Sequence, residues 1–149
     1  SYSVEQEPLT PPLSEAAEQP TSPLAGPLYL KTTVRSGVEV RHPGTVIILG
    51  DLNPGGTAIA DGDIFVWGCL RGIAHAGAQG NRDCRIGALR MEPTQLRIAN
   101  VVARAPAVPP GQFEPEVAYI SQEGIRITKA INLNKIQAFE SMKDEIRQK

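Results

Sequence analysis

The sequence predicts an all-β protein: a parallel β-helix of triangular coils, followed by a hairpin and a terminal α-helix. Two observations carry this. Short apolar runs separated by tight turns recur over residues 31–104 about every eighteen residues, the length scale of solenoid coils. The turn residues keep step with the strands: Gly37, Gly55, Gly72 and Pro93 fall at corresponding corners, at intervals of 18, 17 and 21. A β-sandwich also has short strands and regular turns. It does not ordinarily align corner with corner and strand with strand at one period.

Each coil reads as strand, turn, strand, turn. One runs Thr45-Val46-Ile47-Ile48-Leu49-Gly50-Asp51-Leu52-Asn53-Pro54-Gly55-Gly56-Thr57-Ala58-Ile59-Ala60, and the next Asp63 to Ala76. A third begins at Asp83-Cys84-Arg85-Ile86 and closes on Leu96-Arg97-Ile98-Ala99. Val34 to Val40 is an earlier half-coil, and Gln79-Gly80-Asn81-Arg82 reads as an inserted loop. Gly and Asn-Pro-Gly suit corners, because a chain that bends sharply needs positive φ or a preset turn. Ile, Val, Leu and Ala dominate and aromatic residues are 5% of the chain, as a narrow coil interior requires.

Other segments flank the β-helix, which is expected over 28–104. Residues 1–27 hold six prolines and four acids with no base, too little apolar surface to offset ordering entropy, so a disordered linker is expected. Residues 105–129 open with Ala105-Pro106-Ala107-Val108-Pro109-Pro110-Gly111, then carry two strand-like runs around Ser121-Gln122-Glu123-Gly124. They read as a linker and a hairpin capping the solenoid, whose last coil would otherwise expose strand edges. Over 130–149 the period changes: Leu133, Ile136, Phe139, Met142 and Ile146 recur every three or four residues, an amphipathic helix.

Composition excludes several classes. Residues 28–105 hold nine bases and six acids, without the basic-aromatic interleaving of a nucleic-acid platform. Cys69 and Cys84 have no metal-ligand spacing, and no phosphate loop is present. No catalytic residue, metal site or cofactor is expected: His42 and His75 stand alone, and Asp51, Asp61 and Asp63 suit turns. With no secretory signal and no long apolar run, the expectation is a cytoplasmic chain with free thiols.

Two surfaces invite partners. In the second strand of each coil, Thr57/Ile59, Ile73/His75 and Leu96/Ile98 alternate with Ala58/Ala60, Ala74/Ala76 and Arg97/Ala99. Neither set resembles a solvated face, so the sheet is expected to be covered on both sides, the outer one by a second copy of the chain through Ile59, Ile73, Leu96 and Ile98. The corner Val34-Arg35-Ser36-Gly37 offers a guanidinium fork, a hydroxyl and backbone donors together, suited to carboxylates on another protein.

Arg35-Ser36-Gly37, Gly50-Asp51-Leu52-Asn53-Pro54-Gly55, Ile59-Ala60-Asp61-Gly62-Asp63-Ile64, Trp67-Gly68-Cys69-Leu70-Arg71-Gly72 and Leu96-Arg97-Ile98-Ala99, in this order, resemble the MinC C-terminal domain family over about residues 28–129. The resemblance implies a right-handed β-helix that dimerises through one sheet and binds MinD, a membrane-associated ATPase, in its ATP-bound form. It implies that Arg35, Ser36 and Gly37 carry that binding, with Asp51, Asn53 and Gly55 on the stacked corner. Val38 stands where the family has Gln. The family's other domain antagonises the division GTPase FtsZ. The implied role is a non-enzymatic adaptor in division-site placement, brought to the membrane only through MinD. The alternative is a β-helix scaffold, resembling bactofilins, that polymerises end to end.

Overall fold

A computed structural model describes residues 25–104 and 114–135. The strands are β1 (Ala25–Leu30), β2 (Glu39–His42), β3 (Gly44–Ile48), β4 (Thr57–Ala60), β5 (Ile64–Leu70), β6 (Ile73–Ala76), β7 (Ile86–Met91), β8 (Gln95–Ile98), β9 (Val101–Arg104), β10 (Glu116–Ser121) and β11 (Gly124–Lys129). They form two sheets. One has six strands in the order β1-β3-β5-β7-β10-β11, the other five in the order β2-β4-β6-β8-β9. Strands two apart in sequence pair in parallel from β1 to β8. The chain therefore rises as a helix of coils and does not fold back on its sequence neighbour. Single parallel bridges from Val34 to Leu52 and from Leu52 to Leu70 mark the third side of the triangle.

Register stacks like on like. Val46, Ile64 and Ile86 form one inward ladder, Val34, Leu52 and Leu70 another, and all are 2% exposed or less. Opposite them stand Ala58 beside Ala74 and, one step along, Ala60 and Ala76, all fully buried. Small residues on one wall make room for branched ones on the others, which keeps the interior close-packed at this narrow bore.

Two corners share a coil-to-coil brace. The Thr33 hydroxyl accepts from the Asp51 amide at 3.3 Å, and Asp51 Oδ1 accepts from the Cys69 amide at 2.8 Å. At the other corner Thr45 accepts from Asp63, and Asp63 Oδ1 from Arg85, at 3.1 and 2.8 Å. The acidic corner residues thus serve backbone donors one coil away.

The structure refines several boundaries. The first strand begins at Ala25, so residues 25–27 belong to the sheet; the rest of the expected linker, and the expected helix beyond residue 135, lie outside the described residues. The inserted loop is longer than expected: residues 77–85 stand where 61–63 turn the previous coil. The solenoid also ends sooner. β9 turns back antiparallel on β8 through Ala99, whose φ is 54°. The expected hairpin, β10–β11, joins the other sheet antiparallel to β7. A 3₁₀ turn, Ala130–Asn132, follows, and residues 133–135 run on in helical conformation.

Leu96 and Ile98 do not face outward. Register places Leu96 beside Ala74 and Ile98 beside Ala76, both on the inner wall and at most 1% exposed. The outer positions of β8 are Gln95 and Arg97. The inner wall changes from Ala to Leu and Ile there because no further coil lies beneath, and larger side chains must fill the end.

Candidate functional site

Residues 35–38 and 53–56 make the same turn on successive coils. The Val38 amide donates to the Arg35 carbonyl, and the Gly56 amide to that of Asn53, at 3.0 and 2.9 Å. Gly37 and Gly55 each have φ of 86°. This is the type II turn, whose third residue requires positive φ; Pro54 supplies the preset second position of the lower one. The turns are tied together by Asn53 N–H to Val34 O, Gly37 N–H to Gly55 O and Thr57 N–H to Val38 O, at 2.9, 3.0 and 3.0 Å. Arg35 and Ser36 on the upper turn therefore stand directly beside Asn53 and Gly55 on the lower. A Cβ on Gly55 would collide with the Ser36 hydroxyl.

Arg35, Ser36, Gly37 and Gly55 are exposed, and Asp51 and Asn53 half-buried. The carboxylate of Asp51 is already engaged by Cys69. The Val38 side chain is 45% exposed, while its backbone closes the turn and joins the coils. The corner thus offers a guanidinium, a hydroxyl and an amide within one small convex patch. It can grip carboxylate or amide groups of a folded partner.

Two charged residues of this face, Arg71 and Glu92, were not singled out by sequence reasoning. Register sets Arg71 below Asn53, where it meets Glu92 at 3.6 Å; Glu92 is also held by Arg90 at 2.6 Å. Arg71 is exposed, and register places Arg35 and Arg71 on either side of Asn53 along the axis. The signal was the eighteen-residue step from Leu52 to Leu70. It was obscured because Arg71-Gly72 turns in two residues where Asn53-Pro54-Gly55-Gly56 takes four. Gly72 accordingly stacks on Gly56, not Gly55, and Thr94, not Pro93, lies beneath Gly72.

The other candidate groups are structural. Burial pushes the Cys69 thiol up, and raises that of Cys84 to about 12, with the nearby Asp63 carboxylate adding to the effect. Both cysteines are unpaired. His75 bonds the Ala99 carbonyl through Nε2 at 3.0 Å, and burial lowers its pKa. His42 Nε2 meets the Gly26 carbonyl at 2.7 Å and ties β2 to β1. Among the described residues no three His, Cys, Asp or Glu are grouped to hold a metal, and no helix is long and apolar enough to cross a membrane.

Fold and site together define a β-solenoid that presents a rigid polar corner. The chain belongs to the MinC C-terminal domain family: the family described as septum formation inhibitor MinC, C-terminal domain, matches residues 28–130. A probable septum site-determining protein MinC from Nostoc sp. is 60% identical over 136 residues, 91% of this chain and 37% of its own length. One from Thermosynechococcus vestitus is 53% identical over 137 residues, 92% of this chain and 51% of its own length. The chain thus spans about half or less of these relatives. Among solved structures, a chain of the MinC:MinD cell division protein complex of Aquifex aeolicus superposes with a TM-score of 0.67 at 35% identity, covering 78% of this chain and 98% of that one.

Proposed function

We propose that this domain recruits a division inhibitor to the membrane by binding the ATP-bound form of a MinD ATPase. The carrying observation is the pair of stacked type II turns, which holds Arg35 and Ser36 beside Asn53 on an exposed, rigid edge. The likeness to a protein of a MinC:MinD complex supports the reading. Arg35 is the principal contact; Ser36, Gly37, Asn53 and Gly55 shape the patch, Arg71 extends it, and Asp51 holds it from behind. The attached inhibitor acts on FtsZ assembly, and this domain concentrates it at the inner face of the membrane. Co-sedimentation with MinD, with and without ATP, tests the reading. Arg35→Ala is expected to abolish ATP-dependent co-sedimentation while leaving circular dichroism unchanged; retained binding refutes the site.

The domain acts as a homodimer, and the six-stranded sheet is the better face for it. Its outer side carries Tyr29, Ile47, Phe65, Trp67 and Leu89, with Trp67 64% and Tyr29 51% exposed. Rings on that scale are rarely left in water on a monomer. The outer side of the five-stranded sheet does hold Ile59, Ile73 and the 46% exposed Val102, but among Glu39, Arg41, Gln95, Arg97 and Arg104, and without an aromatic ring. The Arg35 corner lies between the third side and the five-stranded sheet, at the apex opposite the six-stranded one. A dimer through that sheet presents two corners facing away from each other, so binding gains avidity on a membrane dense in partner. Trp67→Asp is expected to give monomers in sedimentation runs; a monomer from Ile73→Asp with an intact Trp67→Asp dimer moves the interface to the other sheet.

A further inference from the structure

We propose that Glu92 is a positioning residue of the partner site: it holds the Arg71 guanidinium in place for a carboxylate on the bound ATPase. This rests on the function proposed above and deepens it. Along the third side of the triangle Val34, Leu52, Leu70 and Met91 stack as one buried inward ladder. Side chains alternate along extended chain. The residues that follow these four, Arg35, Asn53, Arg71 and Glu92, therefore make the outward ladder beside it. It reads cation, amide, cation, anion, one coil apart at each step, and Glu92 is the single acid in the row.

The backbone beneath the last two rungs is fixed. The Arg71 amide donates to the Leu52 carbonyl at 2.8 Å and the Glu92 amide to that of Leu70 at 2.9 Å. The Thr94 hydroxyl donates to the Arg71 carbonyl at 2.8 Å. Pro93 confines Glu92, the residue before it, to extended conformation. The Arg71 side chain, by contrast, is exposed, and packing does not hold it. A free arginine side chain loses rotamer entropy when a partner grips it. Glu92 removes that freedom beforehand. One of its oxygens meets Arg71 Nε at 3.6 Å while the other takes Arg90 Nε at 2.6 Å, so Arg90 steadies the carboxylate that steadies Arg71. Nε is the inner nitrogen of a guanidinium, and the donors on the two outer nitrogens suit a second carboxylate. Repulsion between that carboxylate and Glu92 is screened by water at this exposed edge.

Co-sedimentation titrations with ATP-loaded MinD test the proposal. Glu92→Gln keeps the shape and removes the charge. It is expected to weaken binding about three- to tenfold, the cost of ordering one long side chain at an interface. Arg71→Ala is expected to weaken binding at least as much. Adding Glu92→Gln to Arg71→Ala is expected to change nothing further, because the one acts through the other. A purely structural ion pair gives no such non-additivity, and the urea midpoint of Glu92→Gln is expected to match the parent's. Glu39→Gln serves as control: it breaks an exposed pair of the same spacing, Glu39 with Arg41 at 3.3 Å, and is expected to bind as the parent does. Unchanged or tighter binding by Glu92→Gln overturns the proposal, as does an equal loss in the control. Additive losses in the double variant also overturn it, since they make Glu92 itself a contact. If any of these accompanies abolished binding by Arg35→Ala, the partner site stands and only the role of Glu92 falls. A parent chain that does not bind ATP-loaded MinD overturns both.

Discussion

Gly37 and Gly55 sit one above the other and share a φ of 86°, but their surroundings differ. A Cβ at Gly37 would meet nothing within 4 Å, whereas at Gly55 it would strike the Ser36 side chain. Gly37→Ala is therefore expected to cost about 1–2 kcal/mol, from left-handed strain alone. Gly55→Ala is expected to cost about 2–4 kcal/mol, because overpacking adds to the strain; urea denaturation of the two variants checks the order. His75 makes a pH prediction. Burial, then the Arg97 and Arg41 charges, lower its folded-state pKa, against the opposing effect of its bond to Ala99. The folded state thus prefers the neutral ring. That preference stabilises fully above the ordinary histidine value of about 6.5 and is lost as pH falls from there toward the lower folded value. The unfolding midpoint should drop across this interval, and drop less in His75→Gln.

At the scale of the element, the corners are braced by acidic side chains that reach one coil along. Asp51 accepts from the Cys69 amide; without it a half-buried donor is left unsatisfied. Asp51→Ala is expected to cost about 1–3 kcal/mol in chemical denaturation. Any loss of MinD binding in this variant should accompany lost stability. Arg35→Ala is expected to lose binding with stability intact. The contrast separates a residue that builds the corner from one that makes contact through it. These corners were legible in sequence because Gly and Asn-Pro-Gly advertise turn chemistry. The bracing was not, because its partners lie about eighteen residues apart and belong to no local pattern.

Over the whole molecule, inside and outside are decided by parity along each strand. From β6 to β8 the pairing step is 22 residues, Ile73 to Gln95, an even number that keeps each side chain on its face. Leu96 and Ile98 therefore continue the wall of Ala74 and Ala76. Leu96→Asp is expected to cost more than about 4 kcal/mol, the signature of a buried unpaired carboxylate. Ile73→Asp, on the outer side, is expected to leave the thermal transition within a few degrees of the parent's. Alternation along the strand alone set Leu96 and Ile98 with Thr57/Ile59 and Ile73/His75, because the register that pairs them with Ala74 and Ala76 runs across an insertion. The antiparallel pairs β8–β9 and β10–β11 finish the C-terminal end, where end-to-end stacking of a scaffold would need an open parallel coil.

By itself the sequence determined the β-helix, its coil length, the Arg35 corner stacked on the Asn53 corner, and the family. Each of these rests on residues that repeat, and repetition in a solenoid is local information read once per coil. Only the tertiary structure decided which residues line the core, where the solenoid stops, which sheet is apolar outside, and that Arg71 lies in line with Arg35. Those depend on register across an insertion and a shortened corner, and register is set by hydrogen bonds between strands that the linear order keeps apart.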